Sequence, residues 1–103
     1  MTTPATTAGR RRQTKWTREA VITAIKRWNE LYGEPPCSAD WNPSLCRWRA
    51  QEWRIPRYRA GDPDTGEPWP STNTAKNPFP HPKSGKPSFD EAVRAAGFVP
   101  HKP

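Results

Sequence analysis

Fourteen prolines in a chain of 103 residues limit its fold more than any other feature. Proline lacks a backbone donor and its ring clashes with the preceding turn, so it interrupts a helix wherever it falls inside one. Helices must therefore be short and the links between them long. Two stretches carry complete helix signals. The first opens at Thr17, a good N-cap, with Trp16 ahead of it placed to pack on Val21 as a hydrophobic staple. Val21, Ala24, Ile25, Trp28, Leu31 and Tyr32 recur at three- and four-residue spacing and form one apolar stripe. Gly33 stands where a left-handed residue ends a helix, and Pro35-Pro36 bars continuation, so the spacing predicts a helix over 18–32. At the other end, Ser88 and Glu91 make a capping-box pattern, and Phe89, Ala92, Val93 and Ala96 share a face. Gly97 supplies the stop there, with Phe98 placed to fold back on Val93.

Between these ends the signals are shorter. Ser38 reads as the cap of a single turn through Trp41 that Pro43 stops, and Ser44 as the cap of a short helix from Leu45 that Pro56 ends. RYRAGDPDTGEP, with Pro63, Asp64 and Gly66 in turn positions, reads as an exposed loop closed by Trp69-Pro70. Ser71 to Lys76 reads as a capped turn or two, cut short by Pro78, Pro80 and Pro82. No alternating strand pattern and no internal repeat is present. The expected fold is mainly α, a small bundle of three to four short helices with long Pro-rich loops, forming one domain over 16–100. Residues 1–15 carry no periodic apolar residue and are expected to be a mobile basic arm, with 101–103 a short tail.

Composition sets the size of the core and the class of partner. Only 32% of residues are hydrophobic and mean hydropathy is -1.07, against roughly 45–50% apolar residues in ordinary domains, so a large dry core is excluded. Six Trp, three Phe and two Tyr can replace it, since each ring buries about 150–250 Å². Lys+Arg number 17 against 10 Asp+Glu, a net charge of +7, which makes polyanions the default partner. Nothing approaches the ~18–20 apolar residues needed to span a bilayer, and the opening MTTPATTAGRRRQTK has no apolar leader segment. The expectation is a cytoplasmic protein with no membrane partner, in which Cys37 and Cys46 stay reduced.

The densest chemical signal is the interleaving of Arg47, Arg49, Arg54, Arg57 and Arg59 with Trp48, Trp53 and Tyr58. Guanidiniums pair with phosphates and flat rings stack on bases. The same pattern also suits a Trp core whose arginines solvate its outer face or stack on its rings. Arg10, Arg11 and Arg12 add cations for phosphate or minor-groove contacts. Ser71, Asn73 and Thr74 at a helix start offer contacts to a phosphate, Asn73 is able to read an adenine edge, and Lys76 adds a cation to the same turn. Ser71 is expected first of all to cap its own helix.

Catalysis has little to stand on. The chain has no Gly-rich phosphate loop, no HExxH and no His-Asn-His nuclease constellation, and only His81 and His101 as candidate bases. Asp62 and Asp64 form a conceivable metal pair, but DPDTG reads as a turn. Cys37, Cys46, His81 and His101 match no usual zinc-ligand spacing. No enzymatic activity, metal, cofactor or small-molecule substrate is expected.

The order of these signals resembles a known family. WTREAVITAIKRWNELYGEPPCSADWNP, then WPSTNT, then SFDEAVRAAGFVP is similar to the homing-endonuclease-associated repeat, a helical module found beside HNH nucleases and in many actinobacterial and phage proteins. The similarity spans about Trp16 to Pro100. It runs through Thr17, Gly33 with Pro35 and Pro36, Ser38 to Trp41, Pro70 with Ser71 and Thr74, Phe79 or Phe89, and Ala95-Ala96-Gly97. The resemblance implies a helix-turn-helix-like DNA-binding accessory module without catalysis, whose reading element is the Ser/Thr-started third helix. Here Thr74 is followed by AKNPFPHPKSGKPS, whose prolines do not support a recognition helix.

Two functions of different classes follow as expectations. One is a non-enzymatic DNA-binding protein that docks mainly on the backbone through the Arg47 to Arg59 segment, helped by the arm. The alternative is a phage or mobile-element effector that binds a host protein through the same surface, because Trp and Arg are also the residues enriched at protein hot spots.

Overall fold

The computed structural model describes residues 16–101; residues 1–15, including Arg10, Arg11 and Arg12, and residues 102–103 lie outside the described residues. Five α-helices follow one another: α1 Arg18–Tyr32, α2 Pro43–Trp48, α3 Ile55–Ala60, α4 Thr72–Lys76 and α5 Phe89–Ala95. Two 3-10 turns, Ser38–Trp41 and Glu52–Arg54, complete the regular structure. Among the described residues there is no strand, only an isolated bridge between Pro80 and Pro87. The fold is mainly α, as the sequence pattern predicts. No helix among the described residues is long and apolar enough to cross a membrane.

α1 has the predicted bounds because both ends are chemically specified. The Thr17 hydroxyl accepts the Ala20 amide at 3.1 Å, and Gly33, left-handed at φ 80, donates to Asn29 O at 2.8 Å. The apolar stripe turns inward, with Val21, Ala24, Ile25 and Trp28 buried. Trp28 is the hub of the core. Its ring centroid lies 5.9 Å from Trp41 and 5.2 Å from Trp69, both edge-on, and 4.6 Å from Tyr32. Trp41 in turn meets Phe89 of α5 at 5.6 Å. Rings from α1, the first 3-10 turn, the 61–70 loop and α5 are thereby pinned together. At ~25 cal/mol per Å², each buried indole contributes roughly 4–6 kcal/mol of gross burial, so a few rings do the work of a larger aliphatic core.

α5 is held in the same way. The Ser88 hydroxyl accepts the Glu91 amide at 3.4 Å, and Phe98 donates back to Val93 O at 3.2 Å while packing on the core, the Schellman-type ending that Gly97 permits. The Glu91 carboxylate pairs with Arg94. The Pro-rich stretch between α4 and α5 is closed by backbone bonds from His81 N to Lys86 O at 2.8 Å and Ser88 N to Phe79 O at 3.0 Å. These hold Phe79 buried, with the Arg18 guanidinium 4.8 Å above its ring.

The middle of the chain departs from the sequence expectation at several prolines and caps. The 3-10 turn is capped at Cys37 rather than Ser38: the Cys37 amide donates to Asp40 Oδ2 at 2.9 Å. Pro43 does not merely stop that turn. It begins α2, and Asn42 rather than Ser44 is the cap, accepting the Leu45 amide at 3.2 Å. A proline at the first helical position loses a hydrogen bond that no residue there could make, and its fixed φ suits the helix. α2 ends at Trp48 because Ala50 is left-handed, at φ 57, with Gln51 N bonded back to Cys46 O at 2.8 Å. Pro56 likewise opens α3 instead of ending a helix. Residues Arg57–Ala60, read as loop, are therefore helical, and only the part beyond Gly61 is a turn. There Asp62 N donates to Glu67 O at 2.8 Å and Gly66 N to Asp62 O at 2.7 Å. The single second helix expected from Leu45 to Pro56 is thus two helices and a 3-10 turn.

Candidate functional site

The α2–α3 segment carries the arginines and rings singled out above. Between residues 42 and 60 the chain has five arginines and one carboxylate, Glu52. Arg47, Arg49 and Arg59 are exposed and Arg57 is half-buried. Two indoles stand out in solvent, Trp48 at 79% and Trp53 at 55% exposure. Of the alternative reading, the core part does not hold, since the core rings are Trp28, Trp41 and Trp69, but its stacking part does: Arg49 lies over Trp48, and Arg54 and Arg57 over Trp53.

Rings and cations alternate in a column that reaches this surface at Trp53. The Arg57 guanidinium lies 4.5 Å from the Tyr32 ring and 5.3 Å from Trp53. Arg54 lies 4.3 Å from Trp53, and its Nη1 donates to Asp40 Oδ1 at 2.7 Å. Tyr32 enters the column because it sits in the last turn of α1; its place in the apolar stripe gave no sign of that second contact. Guanidiniums held against rings lose less freedom on meeting an anion than free ones do.

Arg54 itself is withdrawn from the candidate surface. It is 7% exposed, and its Nε donates to Gln51 Oε1 at 2.7 Å. Buried, with its Nε and Nη1 engaged inside the fold, this guanidinium is off the surface that a phosphate would meet. The 3-10 turn Glu52–Arg54 places it inside the fold, whereas Arg47, Arg49 and Arg59 are exposed.

The Ser71 cluster is occupied mostly by its own helix. The Ser71 oxygen accepts the Thr74 amide at 3.2 Å and its hydroxyl donates to Thr74 Oγ1 at 3.1 Å. Neighbouring Thr72 donates to Ser38 O at 2.7 Å, tying α4 to the first 3-10 turn. Asn73 is exposed and Lys76 half-buried, which leaves these two as the outward-facing groups of α4.

Asp62 and Asp64 are placed as a turn. Asp62 Oδ1 accepts the amides of Asp64 at 2.8 Å and Thr65 at 3.3 Å, and its carboxylate is bound by Arg27, whose Nε is 2.8 Å from Oδ2. Arg27 also pairs with Asp64. These bonds, first among them the one from Arg27, hold the Asp62 carboxyl down at about 2. Asp62, unlike its neighbours in the turn, is buried. The turn and α1 flank an open groove of about 1200 Å³ that also meets Trp16, Glu19 and Trp69. Its rim holds Glu19, Asp62 and Glu67 against the single cation Arg27, the wrong balance for a polyanion.

Both cysteines are buried thiols. Burial first, then the Asp40 charge, pushes Cys37 up to about 11, and burial raises Cys46, whose Sγ donates to Ala39 O at 2.8 Å. The chain brings Cys37 together with Asp40 and His101, their ligand atoms within 4.8 Å of one another, a grouping that no sequence spacing reveals. Both Asp40 oxygens are already taken, by Arg54 and by the Cys37 amide, and His101 Nε2 lies 2.7 Å from Pro35 O. His81 is elsewhere, its Nδ1 accepting the Lys83 amide at 3.1 Å. The Asp40 carboxylate is a structural group here, with Arg54 as its cation.

Compared with known proteins, the chain matches no protein-family model, no curated protein and no solved structure.

Proposed function

We propose that this protein binds DNA without catalysing a reaction on it, docking through phosphate contacts from the α2–α3 segment. One observation carries the reading: Arg47, Arg49, Arg57 and Arg59 reach solvent beside two exposed indoles, with Glu52 as the only nearby carboxylate in the segment. Cations supply affinity for a polyanion by releasing its counterions, while flat rings offer faces that bases can stack on. The order of motifs similar to the homing-endonuclease-associated repeat agrees with it. α4, the counterpart of that family's reading helix, has five residues and is about 7.5 Å long, too short to lie along a major groove. Backbone docking is therefore favoured over base-edge reading. Arg10, Arg11 and Arg12 add charge to the same function from outside the described residues.

The test is a salt titration. With about six phosphates neutralised, log K against log salt has a slope near -5, or roughly a thousandfold loss between 50 and 200 mM. A flat response overturns the proposal. The exposed Trp48 and Trp53 also favour a second reading, in which the same rings and arginines anchor a host protein. Affinity capture with and without nuclease separates the two: a partner that survives nuclease in near-stoichiometric amount selects the protein interface.

A further inference from the structure

We infer that Trp48 is a stacking platform for an unpaired base, so that the preferred ligand of the α2–α3 segment is single-stranded DNA over duplex. The inference rests on the DNA-binding reading above and names its substrate form.

The six tryptophans divide by position. Trp28, Trp41 and Trp69 build the core and Trp16 packs half-buried against it. Trp48 takes no part. At 79% exposure its ring forfeits most of the burial an indole can gain, so core packing does not explain its presence. It is the last residue of α2, and the left-handed Ala50 turns the chain away just beyond it. The Arg49 guanidinium lies over the ring, 5.4 Å from its centroid. A ring so exposed, with a cation over one face, keeps the other face for a ligand and has a charge at hand for the phosphate that the ligand carries.

Trp53 is arranged differently. Two guanidiniums lie over it, Arg54 at 4.3 Å and Arg57 at 5.3 Å, and Arg54 is fixed in turn by Asp40. Its ring is covered by cations from its own chain and forms one wall against Arg57, whose other wall is Tyr32. Trp48 is the free platform of the pair.

The choice between strands follows from what a platform can reach. In a duplex every base face is already covered by its neighbours, and the energy of unstacking one base offsets what an indole returns. In a single strand the faces are open, and each stacked base is worth roughly five- to 150-fold in affinity. A duplex reader needs an element that enters a groove, and α4 is too short to serve as one.

The experiment measures fluorescence anisotropy of labelled oligo(dT) and of a mixed-sequence duplex, each about 20 units long, at roughly 50 mM salt. The proteins are the full chain and its Trp48→Ala, Trp48→Phe and Trp53→Ala variants. Because Trp48 is so exposed, Trp48→Ala should unfold in urea at the wild-type midpoint. The expected result is oligo(dT) bound on the order of tenfold or more tighter than duplex. Trp48→Ala should then lose about tenfold on oligo(dT) and less than about twofold on duplex, with Trp48→Phe retaining most of the affinity. Duplex bound as tightly as oligo(dT), or Trp48→Ala losing equally on both, overturns the inference and leaves the DNA-binding reading intact. Failure of the wild-type protein to bind either ligand removes both.

Discussion

Arg54 and Asp40 form a buried ion pair, Nη1 to Oδ1 at 2.7 Å, with side chains 8% and 1% exposed. The Asp40 carboxylate also accepts the Cys37 amide, so one acid fixes both the start of the first 3-10 turn and the second turn that carries Arg54. The pair sits beside the small cluster of Cys37, Ala39, Cys46 and Ile55 and connects the two halves of the α2–α3 segment to the rest of the fold.

Removing one partner leaves a charge in the interior with nothing to offset it. Arg54→Ala and Asp40→Ala are each expected to cost about 3–5 kcal/mol, whereas Arg54→Met combined with Asp40→Leu costs clearly less than the two single changes summed. Urea unfolding of the three variants measures this. Equal midpoints for Arg54→Ala and the wild type would show that the guanidinium is not engaged as described.

Much of the fold was legible from local chemistry, and what was not legible shares one cause. α1 and α5 carry cap, apolar stripe and stop within a single stretch, so Thr17, Gly33, Ser88 and Gly97 declare their ends without reference to anything distant. From sequence alone Pro43 and Pro56 read as terminators, because proline is compatible with both the end and the first turn of a helix. What decides between them is Asn42 as the cap in one case and the left-handed Ala50 ahead of the other. No residue type announces a left-handed alanine. Arg54 looked like one more surface cation because its partner lies 14 residues away, and Asp62 like an exposed turn residue because Arg27 lies 35 residues away. The exposure of Trp48 and Trp53 became assignable only once the other indoles were placed in the core.

Gly61 and Gly66 both take positive φ in the turn after α3, at 73 and 76, but Gly61, with ψ -166, lies in the extended positive-φ region that essentially only glycine enters. A Cβ on Gly61 would stand 2.6 Å from Glu67 O, a backbone atom of the turn itself, whereas one on Gly66 meets nothing within 4 Å. Gly66→Ala should therefore carry only the positive-φ penalty of about 1–2 kcal/mol, and Gly61→Ala a larger loss, from a backbone conformation closed to other residues and from the displacement of the Asp62 to Glu67 bond. The difference between their urea midpoints reads these two effects together. If Gly61→Ala is no worse than Gly66→Ala, the close approach is not there.

The Arg27–Asp62 contact makes stability depend on pH in acid. Asp62 is held at about 2, against an ordinary value of 3.8, chiefly by the Arg27 hydrogen bond. A carboxyl with a lower value in the folded state than in the unfolded one binds fewer protons when folded, so it stabilises above the unfolded value. That contribution is fully present above about pH 4 and disappears as the pH falls to about 2. Thermal melts across this window should show a steeper acid loss for the wild type than for Asp62→Asn, which lacks the titrating group. Parallel acid profiles for the two would sink the assignment.

The column of rings and cations separates two kinds of contribution to DNA affinity. Arg47, Arg49 and Arg59 are exposed, so changing any one to Ala should reduce the salt slope by about 0.9 on duplex and about 0.7 on a single strand if it meets a phosphate. Arg54 is spent on Asp40 and Gln51; Arg54→Lys, which keeps a cation for Asp40, should leave the slope of the folded protein unchanged. Arg57 rests between Tyr32 and Trp53. Trp53→Ala takes away one wall while leaving the charge, so affinity should fall with the slope held, because the same number of counterions is released by a less ordered cation. Salt titrations of these variants on one DNA ligand distinguish a lost charge from a lost support. An altered slope in Trp53→Ala would mean that the ring itself displaces counterions by seating the strand, and the division of labour between Trp48 and Trp53 would have to be withdrawn.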